Sequence, residues 1–253
     1  VQSDHHAPVA RHPVPPSRAR AGWRRVVVAV LVVGGCNPAV RDPQPPTADD
    51  VRRSVADQVA AVRTGRSSRI VAAAALSDAE WESLRGLDGL TELVLEQGRA
   101  DDDRAAILAT LPAIERLVLR ESPLTDAGFA RLAECPTLRD INVPQAACTA
   151  TGIAALGRLG KLKRLRVGGP RLDGPEVAEA IATLGGLRSL HLIDVPIGDA
   201  GLAAIQRLPG LWNLYLDGAG VSDEAWAVYF RARPDVHVHV DQAHHDRDPG
   251  RHE

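Results

Sequence analysis

A tract that repeats itself every 24 residues has very few ways to bury its apolar side chains, and such a tract runs through most of this chain. LTELVLEQGRADDDRAAILATLPA begins at Leu90 and IERLVLRESPLTDAGFARLAECPT at Ile114. LRDINVPQAACTATGIAALGRLGK follows at Leu138, and LKRLRVGGPRLDGPEVAEAIATLGG, one residue longer, at Leu162. LRSLHLIDVPIGDAGLAAIQRLPG starts at Leu187 and LWNLYLDGAGVSDEAWAVYFRARP at Leu211. A degenerate unit around residues 70–89 precedes these copies, and a truncated one, DVHVHVDQ, follows them. Each copy pairs a short alternating run (LVL, INV, LHL, LYL) with apolar residues at helical spacing, so each predicts one strand and one helix. No such unit buries both faces alone. Stacking the copies makes a single continuous core whose two ends need caps.

Aromatic residues make up only 3% of the chain, so that core must be built from aliphatic layers. The helices are predicted to bury Phe129/Leu132, Ile153/Leu156, Val177/Ile181, Leu202/Ile205 and Trp226/Phe230. Asp126, Asp199 and Asp223, or Thr125, Gly198 and Ser222 before them, sit where a helix N-cap is wanted. Cys135 and Cys148 fall where other units place Leu, Ile or Val and read as core residues, and two such cysteines do not make a disulfide framework.

The unit LxxLxL, together with TDAGF at 125–129 and GDAGL at 198–202, resembles the leucine-rich repeat family over about residues 70–241. It is nearest the ribonuclease-inhibitor-like and cysteine-containing types with a [ST]DxGL helix start, in a 24-residue bacterial form. The resemblance implies an α/β solenoid, with parallel strands on the concave face, helices on the convex face, and non-catalytic ligand binding by the concave side. One departure stands out. The family's usual Asn or Cys just after the strand is here Gly98, Ser122, Ala146, Pro170, Val195 and Ala219. A continuous asparagine ladder is therefore absent, and the turns are expected to rest largely on small residues.

Ahead of the repeats, Val51, Val55, Val59 and Val62 share one helical face, with Thr47 to Asp50 able to start the helix and Gly65 to end it. This is the expected N-terminal cap, residues 49–69. Further upstream, RARAGWRRVVVAVLVVGGC places a basic stretch before an apolar run, then small residues and Cys36. That order is the layout of an export signal, and the run is too short to span a bilayer. Val33-Gly34-Gly35-Cys36 resembles the lipobox of bacterial lipoproteins, with Val33 in place of the more usual Leu. The resemblance implies lipidation of Cys36 and a membrane-anchored protein in the periplasm or at the cell surface. An ordinary cleaved signal and an uncleaved anchor are the alternatives. The organisation expected is thus a signal peptide at 1–35, the lipid-anchor cysteine and a Pro-rich tether at 36–48, the capping helix at 49–69, repeats at 70–241, and a His/Asp-rich tail at 242–253.

Charge and motifs narrow the function. A formal net charge of -2 gives no electrostatic case for a nucleic-acid partner. GGPRLDG follows a strand but lacks the GK[ST] ending of a phosphate-binding loop, and Ser189 and Ser222 have no His/Asp partner at a recognised spacing. The expectation is a protein that is not an enzyme and needs no cofactor.

In LxxLxL the residues between the leucines face the concave side and recur beside their counterparts one unit away, about 4.8 Å apart. One column reads Glu92, Arg116, Asp140, Arg164, Ser189, Asn213. The next reads Val94, Val118, Asn142, Arg166, His191, Tyr215, and the third Glu96, Arg120, Pro144, Gly168, Ile193, Asp217. The alternating charges of the first fit either cross-strand pairing or a docking surface. Arg164, Arg166, His191, Tyr215 and Asp217 are the candidate ligand-binding residues, for a protein or glycan partner. Another 24 residues from Leu211, His237, His239 and Asp241 extend the three columns, and HHDRD from His244 to Asp248 can fold back over them. Two readings stand side by side. His237, His239, Asp241, His244 and His245 could hold zinc or another transition metal, or the segment is a polar cap that stops the sheet from pairing further.

Overall fold

The structure, a computed structural model, describes residues 47–48 and 52–248. The expected signal peptide, Cys36, nearly all of the tether and residues 249–253 lie outside the described residues. In chain order the elements are α1 (Val55–Arg63), β1 (Arg69–Ala72), α2 (Asp78–Leu84), β2 (Glu92–Leu95), α3 (Asp102–Leu108), β3 (Arg116–Leu119), α4 (Asp126–Leu132) and β4 (Asp140–Val143). They continue with α5 (Ala150–Ala155) and a 3-10 turn (Leu156–Arg158), β5 (Arg164–Gly168), α6 (Gly174–Ala182), β6 (Ser189–Ile193), α7 (Gly198–Ile205), β7 (Asn213–Leu216), α8 (Asp223–Ala232), β8 (His237–Val240) and β9 (Ala243–His244).

The strands form one sheet in sequence order, parallel from β1 to β8, with β9 turning back antiparallel to β8. Strand after strand pairs with its successor through a helical crossover, which is the α/β leucine-rich-repeat solenoid. Register follows the repeat: Glu92 pairs with Arg116, Arg116 with Asp140, and Asp140 with Arg164. The extra residue of the Leu162 copy is taken up between β5 and β6, where Arg164 still pairs with Ser189 and Arg166 with His191. The columns read from the sequence are therefore the columns of the sheet.

Inward residues of the strands, Leu93 and Leu95 through Leu214 and Leu216, meet Phe129, Ile153, Ile181, Leu202 and Trp226 from the helices in one core. Cys135 and Cys148 are buried there as free thiols. Burial pushes them up to about 11 and about 12, so neither is a thiolate at neutral pH.

The missing asparagine ladder has a substitute, built from carboxylates at the helix starts. Asp102 accepts the Thr125 N–H at 2.9 Å and its hydroxyl at 2.5 Å. Asp126 accepts the Thr149 N–H (2.7 Å), its hydroxyl (2.9 Å) and the Gly152 N–H (3.0 Å), while Asp199 takes both donors of Ser222 at 2.8 Å. Thr125, Thr149 and Ser222 are themselves the N-caps of α4, α5 and α8. Each bond thus ties one helix's first turn to the next helix's cap and places negative charge where the helix dipole favours it. Burial raises the Asp126 carboxyl, but the Thr149 and Gly152 donors outweigh it and leave it below its usual range. The glycines in the first turns of α4 and α5 follow from this: a Cβ on Gly128 would meet Asp102 Oδ1, and one on Gly152 would lie 2.7 Å from Asp126 Oδ1.

A side chain bonds the first strand of the sheet at one end, and β9 with the Asp248 side chain covers β8 at the other. At the N-terminal end, residues 49–51 of the expected start of the capping helix, Val51 among them, lie outside the described residues. Ser54, extended at φ -62° and ψ 152°, is the cap of α1 and accepts the Asp57 N–H at 3.1 Å. Val55, Val59 and Val62 face the core as read, and Gly65 follows with φ +68°. The buried Gln58 bonds β1 through the N–H and C=O of Val71. At the other end, Asp248 accepts the Val238 N–H at 3.0 Å and the His245 N–H donates to the Val238 carbonyl at 3.1 Å.

Candidate functional site

The first concave column is an ion-pair ladder: Arg69–Glu92 at 3.3 Å, Glu92–Arg116 at 3.0 Å, Arg116–Asp140 at 3.3 Å and Asp140–Arg164 at 2.7 Å. Asp140 is buried, and burial pushes its carboxyl up while Arg164 and Arg116 pull it back. Pairs of this kind on adjacent strands contribute about 0.2–1 kcal/mol each. Arg164, a candidate ligand-binding residue, is thereby engaged along the sheet by a buried carboxylate.

The second column changes character along the solenoid. Val71, Val94 and Val118 form a small buried apolar floor under its N-terminal half. From β4 onward it is polar and planar. The Arg166 Nη1 donates to Asn142 Oδ1 at 3.3 Å and its Nε to His191 Nδ1 at 3.2 Å. On the far side of the ring, His191 Nε2 lies 3.0 Å from Asp217 Oδ2. Burial lowers the His191 pKa, Asp217 opposes this and Arg166 adds to it, so the ring is neutral at pH 7. With Arg166 donating to Nδ1, the hydrogen-bond network assigns the proton to Nε2, directed at Asp217. The Tyr215 ring follows at 5.4 Å from His191 and stacks on His239 at 4.8 Å, 28° from parallel. Arg166, His191, Tyr215 and Asp217 are thus brought together in one half-buried group.

At the end of the same face, His237 and His239 alternate on β8, and β9 brings His244 opposite His239. The ring nitrogens of these three histidines include a set lying within 4.8 Å of one another, and His237 Nε2 and His239 Nε2 are 2.9 Å apart. Asp248, 4% exposed, holds His237 Nδ1 at 2.8 Å. Burial and then the neighbouring His244 and His237 lower the His239 pKa to about 4.

Two of the five candidate metal ligands are not part of this cluster. Asp241 has a left-handed backbone (φ +49°) and its carboxylate accepts the Gly218 N–H at 2.8 Å. The His245 ring lies 4.8 Å from Trp226 and 4.9 Å from Phe230, and its Nδ1 accepts the Arg247 N–H. The tail turns at Asp241 and Gln242, so His244 faces the cluster while His245 packs on α8. Asp248, expected to fold back over the strand with His244, is not among the candidate ligands. Its one signal in the sequence is its place four residues after His244.

No protein-family model matches the chain, and no curated protein matches it. Among solved structures it is similar to the crystal structure of a TDR receptor, with a TM-score of 0.40 and 14% identity over 67% of this chain and 28% of that one. It is also similar to the Arabidopsis receptor kinase HAESA, in complex with the peptide hormone IDA and the co-receptor SERK1, with a TM-score of 0.38 and 14% identity over 60% and 32%. The chain therefore spans about a third or less of each of those receptors.

Proposed function

We propose that this is a non-catalytic, ligand-binding repeat protein of the ribonuclease-inhibitor-like, cysteine-containing type. In this reading it is carried outside the cytoplasmic membrane by a lipid on Cys36, and a protein or glycan partner docks on its concave face through Arg166, His191, Tyr215 and Asp217. The observation that carries the docking reading is the linked row itself: a guanidinium, an imidazole and a phenol side by side on adjacent strands, with Arg166 and Asp217 bonded to opposite sides of His191. Side chains held in place before binding lose little freedom on docking, and Tyr and Arg are the residues that most often dominate such interfaces. The flat faces suit either a peptide backbone or the apolar face of a sugar ring.

The test is retention of envelope proteins and envelope polysaccharides from the source cell, assayed separately, on the immobilised full chain. Tyr215→Ala and Arg166→Ala are expected to lose the retained partner by at least tenfold in affinity. Undiminished retention by both would remove the concave row from the account. The anchor is tested independently by fractionation. Cys36→Ser is expected to shift the protein from the membrane to the soluble fraction, and an unchanged distribution would refute lipidation.

A further inference from the structure

We infer that His237, His239 and His244 form a three-imidazole site for a borderline divalent transition metal, zinc foremost, with Asp248 as the carboxylate that orients His237. This goes beyond the docking reading and does not depend on it.

The site comes from the way the last repeat ends. Strand alternation puts His237 and His239 on one face of β8. The turn at Asp241 and Gln242, both with positive φ, sends β9 back antiparallel so that His244 pairs with His239. The rings converge, with centroids 4.8 Å apart for His237–His239, 4.7 Å for His237–His244 and 4.1 Å for His239–His244.

Tautomers then define which atoms are offered. Asp248 is buried, is fixed by the Val238 N–H, and accepts a hydrogen bond from the His237 Nδ1–H. In the neutral ring this leaves a lone pair on His237 Nε2, which faces His239 Nε2 at 2.9 Å. Two ring nitrogens facing each other are held either by one shared proton or by a cation between them. Zinc–imidazole bonds of about 2.0–2.1 Å at a tetrahedral angle put two nitrogens about 3.3 Å apart. A small opening of this pair, with rotation of the partly exposed His244 ring, therefore forms the first coordination shell. A buried carboxylate on the outer nitrogen of a metal-binding histidine fixes its orientation and raises its basicity.

The donor set also selects the metal. Three imidazoles suit zinc, nickel or copper rather than calcium or magnesium, which require oxygen ligands. Asp241, which would have supplied oxygen, is turned away to Gly218. Three protein ligands leave one tetrahedral position for water or for a group from outside the chain. A metal here would also pin β9 to β8, and so lock the hairpin that closes the sheet.

The experiment is zinc titration of the metal-stripped, tag-free full chain against a competing chelator, with cobalt(II) as the spectroscopic probe. His5, His6, His12 and His252 also lie in the chain, so a triple His5→Gln/His6→Gln/His12→Gln variant serves as the background. One equivalent is expected at micromolar affinity or tighter, with the strong visible absorption of four-coordinate cobalt. His239→Gln/His244→Gln should lose at least 100-fold in affinity, His245→Gln should lose nothing, and Asp248→Asn should weaken binding by about 10–100-fold. Should the double variant fail to fold, the single His244→Gln, on the exposed edge strand, is expected to lose the four-coordinate cobalt spectrum. The inference is overturned by the absence of stoichiometric binding, by binding that survives loss of His244, or by a dependence on His245 instead.

Discussion

The side-chain amide of Gln58 brackets the peptide of Val71: its Oε1 accepts the Val71 N–H at 2.7 Å and its Nε2 donates to the Val71 carbonyl at 2.8 Å. One buried side chain thus supplies what a neighbouring strand would otherwise supply, and the first edge of the sheet is closed against pairing. Gln58→Leu keeps the bulk but leaves two buried backbone groups without these bonds, at about 1–3 kcal/mol for each unsatisfied group. Urea unfolding is expected to show a loss of about 2–3 kcal/mol, with hydrogen exchange accelerated first in β1. An unchanged midpoint would show that the amide does not hold this edge.

The carboxylate ladder on the convex side makes a second prediction. Asp126→Ala removes three hydrogen bonds to the following repeat and is expected to cost about 1–3 kcal/mol. Gly152→Ala forces a methyl against the same carboxylate and against Cys148, and is expected to destabilise too. Because the Asp126 carboxylate is one of the groups the new methyl meets, the double variant should cost less than the sum of the two singles. Strict additivity in denaturant melts would separate the two residues and contradict the ladder.

The stability of the metal-free protein should fall in mild acid through His191. Its folded pKa lies below the unfolded value of about 6.5, so near and below that pH the unfolded chain binds more protons than the fold. Its contribution is therefore fully present above pH 6.5 and is lost as pH falls from there towards the folded pKa. Thermal melts between pH 8 and pH 5 in chelator are expected to decline more steeply for the wild type than for His191→Gln. Equal slopes would show that the ring is not held neutral by its burial beside Arg166 and Asp217.

Cys135 and Cys148 should be silent in the native state. In a Cys36→Ser background a thiol reagent is expected to modify neither until the chain unfolds, as both are buried and their pKa values are raised to about 11 and about 12. Fast labelling at neutral pH would place them outside the core.

Much of the fold could be read from periodicity alone. A repeat of 24 fixes which residue lies beside which, so the spacing alone sets Arg166, His191 and Tyr215 in one row. The same arithmetic carried His237 and His239 onto β8. What periodicity does not encode is where a chain turns after its last repeat. The left-handed residues Asp241 and Gln242 decide that His244 joins the cluster and His245 does not. The lack of an asparagine ladder is plain in the sequence, whereas its carboxylate replacement is less legible. Its signal is a spacing of 23 residues, one short of the repeat, from Asp102, Asp126 and Asp199 to a Thr or Ser cap. Gln58 left no trace in the pattern, because an amide on an otherwise apolar helix face looks the same whether it meets water or a strand edge.

Docking of ligands on the concave row is open to photocrosslinking in the source cell. A benzophenone side chain is placed at Tyr215, and in a separate protein at Glu179, exposed on the convex helix α6. A discrete adduct is expected from position 215, lost when Arg166→Ala is added, and none from position 179. Equal adducts from both faces, or an adduct from the convex face alone, would contradict docking on that row.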